Sequence, residues 1–417
     1  MKNTASSNTH HAWVLVFGLG VVMAISFGIT INAFSVLTLP LMETFGCTNE
    51  QAARVATVFI MAMTLAMPAV GWLLDHMAPR PVMAVGAVIT GVGYYMASQS
   101  ADINMFIIGM ALCGVGIGAS TYIPAFTLIA HWMPLKRQGL AFGVLLAVAA
   151  VGGIVFPIVL TRMIAAYGWR TSMEAGTALI FLVCLPILLA LVRLPEKTTP
   201  VGHAQPDSSL EGQSIGTALR TSRYWLWVGM FLLLTMSSLS ILMGLVPYLR
   251  AVGYSANSAS IIYASIAAST IFGNLLFGSI SNRWGAERTL LLGVALGTVG
   301  LMCLMLAAHA TWGMAAIIIL CMIWGTTFNL VNQLSPTLLM EFVGQRNFGS
   351  LLGIGNLVSG LGAAAGPSLF GHLVDTTHAY VVPLLLCAVL MVLALPPLLA
   401  LYRRPKHTPQ FATVPAH

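Results

Sequence analysis

The chain has 417 residues, 58% hydrophobic and only 7% charged, with a formal net charge of +7 and a mean hydropathy of +0.91. A soluble protein of this length could not cover its surface with so few charges, so lipid must be the solvent of most of the chain. Its basic residues are dispersed over short loops rather than gathered on one folded surface, which excludes nucleic acid as a partner.

Apolar runs long enough to cross a hydrocarbon core, roughly 20 helical residues, lie at 13–39, 52–74, 81–98, 103–130, 139–160, 173–192, 224–249, 259–281, 287–307, 311–336, 348–371 and 380–401. Each is sustained rather than alternating, which predicts helices and not barrel strands. The first run is too long for a signal peptide, lacks a small-residue cleavage site and is followed by eleven more, so it stays as the first helix. The expectation is an all-α integral membrane protein of twelve transmembrane helices. Its parts are a six-helix bundle over 1–192, a cytoplasmic linker over 193–223, a second six-helix bundle over 224–402 and a cytoplasmic tail over 403–417.

Placing both termini in the cytoplasm puts Lys2, Arg80, Lys136, Arg137, Arg193, Lys197, Arg220, Arg223, Arg283, Arg288, Arg346, Arg403, Arg404 and Lys406 on that side. Only Arg54, Arg162, Arg170 and Arg250 fall outside, so 14 of the 18 basic residues obey the positive-inside rule. Cys113, Cys184, Cys303, Cys321 and Cys387 lie inside apolar runs and only Cys47 lies in an outer loop. That spacing offers neither a disulfide framework nor a metal site, and no cofactor is expected.

The chain repeats itself. Pro40 and Pro247, Gly46 and Gly253, Gly71 and Gly278, and Asp75 and Asn282 are each 207 positions apart, while Pro157 and Pro367 are 210 apart. The drift of three marks a small insertion in the second half. Six helices per half, both halves starting on the same side, make parallel repeats related by an axis along the membrane normal. Proteins built this way hold a solute between the halves near the midplane and expose it alternately to either side.

With the hinge Gly71-x-Leu73-x-Asp75 followed by Arg80, the chain resembles the major facilitator superfamily; His76 stands where a basic residue is usual and position 78 is not glycine. The run Gly114-x-Gly116-x-Gly118-x-x-x-Tyr122-x-Pro124, then Trp132 to Gly143, is similar to helices four and five of the monocarboxylate and oxalate/formate branch, with Gln138 as an extra residue. Phe34 to Leu41, with Phe45-Gly46 after it, looks like that branch's first helix and loop. The resemblance implies secondary transport of a monocarboxylate or related organic anion, and no enzymatic activity. Members that carry small carboxylates typically place an arginine in helix eight, and some add a lysine in helix one or eleven. Here helix eight and helix eleven are uncharged, and Asn32 stands near the place of the helix-one lysine. An exporter of an uncharged or amphipathic compound is the alternative.

Asp75 ends helix two where the helix dipole is negative, unfavourable for a carboxylate by ~0.3–1 kcal/mol. It needs a partner: a cation such as Arg80 or Arg137, or the positive N-terminus of a helix from the other half, near Gly349. Gly71, Asp75, Arg80 and Arg137, with Gly278, Asn282 and Arg283 of the second copy, form the candidate gate. Gly109, Gly114, Gly116 and Gly118 predict close helix packing, and Pro157 and Pro367 predict bends in helices five and eleven.

No carboxylate lies at mid-depth, so a proton relay has no obvious seat there; His131 is a peripheral candidate, and a coupled proton or counter-anion is admitted as a partner. Tyr122 is nine residues before His131, ~13 Å at 1.5 Å per residue, hence near the middle of the core. Position 329, at the same repeat offset, is Asn329, and Asn332 and Gln333 share its face. Buried amides are expensive when unsatisfied, so that face should meet a cavity or another helix. Asn32, Tyr263, Asn274 and Asn356 complete the candidate substrate contacts, each equally readable as an interhelical hydrogen bond. Arg54 and Arg162 are the candidate anion contacts if they turn inward. Trp13, Trp132, Trp169, Trp225, Trp227 and Trp312 lie near run ends and read as interfacial anchors.

No phosphate-binding Gly-x-x-x-x-Gly-Lys motif occurs, against ATP-driven pumping. The tails and linker are each too short for a signalling domain, and no buried nucleophile–base pair suits an intramembrane enzyme. A monomer in a bacterial inner membrane, contacting a small-molecule substrate and the lipid bilayer, is the resulting expectation.

Overall fold

The computed structural model describes residues 2–194, 212–309 and 314–403. Lys197, Trp312, Arg404, Lys406, most of the 193–223 linker and nearly all of the 403–417 tail lie outside the described residues, as do the side chains of Lys2 and Arg403. In chain order the helices are α1 (Lys2–Ile29), α2 (Phe34–Phe45), α3 (Asn49–His76), α4 (Pro79–Ser98), α5 (Ile103–Ser120), α6 (Tyr122–Trp132), α7 (Leu135–Leu179) and, after a π-helical turn at Ile180–Cys184, α8 (Leu185–Leu191). Then follow α9 (Ile215–Arg220), α10 (Ser222–Ala251), α11 (Ala256–Trp284), α12 (Ala286–His309), α13 (Met314–Phe328), α14 (Leu330–Val343), α15 (Phe348–Thr377), α16 (Val381–Leu393) and α17 (Leu395–Arg403). Among the described residues there is no strand.

Among the described residues, eleven helical stretches are long and apolar enough to cross a membrane. One of them, Leu135–Leu191, has 57 residues and would be about 86 Å long if straight, far more than the ~30 Å core. It folds back at Gly168, whose φ of 81° and ψ of 164° are not helical; the positive φ is one that glycine adopts without a Cβ penalty. That stretch is therefore two crossings, and the twelve expected runs are all accounted for.

The repeat is visible in local conformation. Gly46 and Gly253, 207 positions apart, both have positive φ and both follow the first crossing of their half. The copies diverge at the hinge loop: Gly285 has φ 85°, whereas its counterpart Ala78 has φ −59° and hands over to Pro79 at the start of α4, where a missing N–H costs nothing.

Helices α1–α8 pack extensively on one another, as do α10–α17. The glycines of the fourth crossing form two faces: Gly109 and Gly116 meet the α4 backbone, and Gly114 and Gly118 meet α3 at Phe59 and Met63. Small residues so spaced let backbones approach within van der Waals distance. The cysteines are free thiols, Cys303 half-buried and the others buried. Two tryptophans are not interfacial anchors. Trp227 is fully buried, and its Nε1 donates to the Ser335 carbonyl at 2.9 Å; Trp169 is buried and donates to Thr44 Oγ1 at 2.9 Å. Each indole N–H has found an internal acceptor, so water is not needed to satisfy it.

Candidate functional site

The two halves meet along two seams, α3 against α15 and α7 against α11. Each is built from a glycine opposite a glycine. A Cβ on Gly71 would collide with the Gly349 carbonyl, and one on Gly278 would lie 2.9 Å from the Gly139 carbonyl. One turn deeper, a Cβ on Gly353 would meet Met67 O at 2.6 Å, and one on Gly143 would collide with the pseudo-equivalent Asn274 O. Backbone thus lies directly on backbone at the face where α3 ends and α4 begins, here called the Asp75 face.

Asp75 uses both oxygens across the first seam. Oδ1 accepts the Gly349 N–H at 2.9 Å and Oδ2 the Ser350 N–H at 2.8 Å. Gly349 and Ser350 open α15, where the first N–H groups have no intrahelical acceptor and the dipole is positive. Asp75 makes no ion pair; Arg80 and Arg137 are exposed, as is Arg283. Of the two partners open on sequence grounds, the helix terminus is the one engaged.

The second seam lacks this device for two reasons. Asn282 replaces the carboxylate, and its buried Oδ1 has no hydrogen-bond partner. The receiving helix also starts earlier. Gly139, the counterpart of Gly349, is the fifth residue of α7, so its N–H is committed within the helix. Gln333 bridges this seam instead, with Nε2 donating to Gly139 O at 2.8 Å and to Asn274 O at 2.9 Å.

Residues three or four apart share one helix face, and the seam faces change along their length. On α3, Gly71, Met67 and Thr64 are buried whereas Ile60 is 38% exposed; on α7, Gly139, Gly143 and Ala147 are buried whereas Ile158 is 53% exposed. On α11 the same progression runs from Ser281 and Asn274 to Tyr263 at 37%, and on α15 from Gly349 and Gly353 to the exposed Ala364 and Ser368. A bilayer-facing row would be exposed throughout and a packed row buried throughout. The halves therefore touch at the Asp75 face and splay apart toward the opposite one, where Cys47 lies.

The candidate polar residues gather near the apex of this gap. The Tyr122 hydroxyl donates across the halves to the Asn332 carbonyl at 2.9 Å, and Asn332 Nδ2 donates to Asn329 Oδ1 at 3.0 Å. Asn356 is 8% exposed on the α15 seam row and donates to Leu352 O at 2.8 Å. Asn32 sits beside Gly153 at the break between α1 and α2, its amide on Phe27 O at 3.1 Å. Gln333 and Asn274 are sealed inside the second seam, and Gln333 Oε1 and Asn274 Nδ2 are buried without partners. His131 holds Thr127 O at 2.7 Å, near the Asp75 face.

The two arginines lie toward the open end, away from the apex. Arg54 pairs with Glu50 at 2.7 Å, both well exposed, on the α3 row of Met61, Leu65 and Trp72, which is exposed end to end. Arg162 is exposed one turn beyond Ile158, on the open stretch of the α7 row. Neither reaches the apex, and no charged side chain stands there among the described residues.

Three features escape the run pattern. The fourth crossing breaks at Thr121 (φ −120°, ψ −97°) and the tenth at Asn329 (φ −95°, ψ 3°), at positions almost one repeat apart, and the first crossing breaks between Ile29 and Phe34. Pro124, in the first turn of α6, was the one signal for the Thr121 break.

Twelve crossings in two repeated halves, meeting at a backbone seam on one face and parted on the other, define a membrane transporter of the two-bundle class. The sequence pattern of the Major Facilitator Superfamily matches residues 16–367, and the chain belongs to that superfamily. It is 22% identical over 425 residues to human monocarboxylate transporter 12, covering 94% of this chain and 80% of that one. It is 26% identical over 387 residues to an uncharacterised MFS-type transporter of Mycobacterium tuberculosis, covering 90% and 83%. A fujikurins efflux protein of Gibberella fujikuroi matches at 29% over 223 residues, 52% of this chain and 46% of that one. Among solved structures, the Escherichia coli fucose:proton symporter superposes with a TM-score of 0.73 over 93% of this chain and 98% of its own, at 13% identity.

Proposed function

We propose that this transporter moves a small organic solute by alternating access, with residues 1–192 and 224–402 as the two rocking bundles and 193–223 as their linker. The observation that carries the reading is the common change of four seam rows from buried to exposed. Rocking the bundles about the apex would open the Asp75 seams and close the gap opposite. The excess of basic residues on the Asp75 face supports a cytoplasmic position for that face, which makes the conformation outward-open with both termini inside; we take the protein to be a monomer in an inner membrane.

In this reading Asp75 and the α15 N-terminus are a latch made in the outward-open state and broken in the other, with Gly71, Gly278, Asn282 and the neighbouring Arg80, Arg137 and Arg283 at the moving surfaces. Tyr122, Asn329 and Asn332 hold the solute at the apex, with Asn32, Tyr263 and Asn356 along the walls. Gln333 and Asn274 act as a bolt in the second seam rather than as solute contacts.

An apex of tyrosine and amides recognises hydrogen-bonding groups, and without a cation there it supports an uncharged or amphipathic solute. The second reading, a monocarboxylate or related organic anion, is favoured by the similarity to monocarboxylate transporters 12 and 13; Arg54 and Arg162 would have to swing inward to serve it. Uptake of labelled solutes into proteoliposomes, with and without a pH gradient, separates the two. Movement of a neutral solute with lactate, oxalate and formate excluded supports the first; saturable uptake of any of those anions replaces it with the second.

A further inference from the structure

The repeat supplies an internal control for a cavity in the second half. Between α10, α15 and the start of α16, at the open end of the gap, lies a cavity of about 230 Å³ whose wall includes Met243, Gly244, Pro247, Phe370, Asp375 and Tyr380. In the first half the counterpart of Gly244 is Leu37, 1% exposed, and the counterpart of Asp375 is Ala165. The counterpart of Tyr380 is Arg170, so the first copy carries a cation near the place where the second carries a carboxylate. In the second copy the Phe370 ring packs directly on Gly244, and Asp375 brings a carboxylate to the wall.

Asp375 is exposed on the α15 seam row, two turns beyond Ser368, and has no hydrogen-bond or ion-pair partner among the described residues. Ser240 also lines the cavity, its hydroxyl committed to the Met236 carbonyl at 2.7 Å, and Phe370 and Tyr380 add aromatic rings of the kind that attract a cation. Tyr248, whose ring centroid is 6.1 Å from that of Tyr380, is 1% exposed and its hydroxyl has no partner.

We propose that this cavity is a vestibule site for a small amphipathic ammonium compound, the apolar part seated against Met243, Pro247 and Phe370 and the ammonium on Asp375. The site precedes the apex on the path of an entering solute, and it rests on the transport reading for that placement alone. Its volume lies below the 300–1,000 Å³ of drug-sized pockets, which limits the occupant to a short chain or single ring.

Direct binding to the purified full chain tests this without requiring transport. n-Pentylammonium, 1-pentanol and valerate are titrated against wild type, Asp375→Asn and Gly244→Leu, with circular dichroism and gel filtration confirming the fold. The expected result is pentylammonium binding at least severalfold tighter than pentanol, about fivefold weaker in Asp375→Asn as an exposed ion pair warrants, with pentanol unchanged in that variant. Gly244→Leu, which restores the residue of the first copy, should abolish both; if it does not fold, Asp375→Asn decides alone. Pentylammonium affinity unchanged by Asp375→Asn, valerate binding tightest, or no binding of the amine would each overturn the site. If the amine binds as expected while vesicles move no solute, the transport reading fails and the site stands.

Discussion

Replacing Asp75 by asparagine should shift the balance of the two access states by about thirtyfold. The carboxylate accepts two backbone N–H groups at 2.9 and 2.8 Å, at a helix terminus that favours negative charge by up to about 2 kcal/mol when partly buried. Hydrogen bonds to a charged group contribute about 1.5–3 kcal/mol. Asparagine keeps one acceptor oxygen, but its NH₂ then faces the second N–H, so one bond becomes neutral and the other is lost. In the alternative state the carboxylate is rehydrated and the substitution is nearly silent. A net loss of about 2 kcal/mol would take a closed-to-open ratio at the Asp75 face from about 100:1 to about 3:1. Spin labels at Ile60→Cys and Ser368→Cys, on seam rows across the gap, read this as a new, shorter distance population by double electron–electron resonance. A distribution identical to that of the Asp75 parent would refute the latch and leave Asp75 as a marker of the membrane surface.

The other expectations are each open to one assay. Gly71→Ala places a methyl on the Gly349 carbonyl and should remove the outward-open state, read by the same labels as loss of the long distance; an unchanged distribution would show that the seam can give. Asn282→Asp should not create a second latch, because the α7 N–H groups it faces are committed; it should instead lower the melting temperature through a partly buried, unpaired carboxylate, and a rise would contradict the account of the second seam. Gln333→Leu removes both amide bonds at similar volume and should loosen the α7–α11 seam by about 1 kcal/mol, seen as faster hydrogen exchange around Gly139. Arg54→Ala and Arg162→Ala should leave uptake within about twofold; a tenfold rise in KM would make either one an anion contact.

The run lengths and the 207-residue offset already contained the twelve crossings, because a membrane helix declares itself by composition alone. Asp75 was legible too: a carboxylate at a helix C-terminus is misplaced unless something positive meets it, and Gly349 was among the few candidates. What the sequence left open was which partner wins, since Arg80, Arg137 and the α15 terminus are equally near on paper and only packing of Gly71 on Gly349 brings the N–H groups into range. Gln333 looked like a solute contact because its face carried amides, yet the fold turns it into the second seam while Asn329 and Asn332 stay at the apex. Trp227 was misplaced for a related reason: nearness to a run end says nothing about which neighbour will accept its N–H. The breaks at Thr121 and Asn329 left little local signal beyond Pro124, since neither residue is one that ends a helix by its own conformational preference.

The central claim is that a single gap, sealed at the Asp75 face and open at the other, changes sides during transport. Single cysteines at Ile158, exposed on the open stretch of the α7 row, and at Ser281, buried in the closed stretch of the α11 row, test it through impermeant thiol labelling in oriented vesicles, with and without a transported solute. The structure predicts that Ile158→Cys reacts at rest and is protected as solute turns over, while Ser281→Cys becomes reactive from the Asp75 face under the same conditions. Both positions reactive together, or neither responding to solute, would contradict alternating access in this chain.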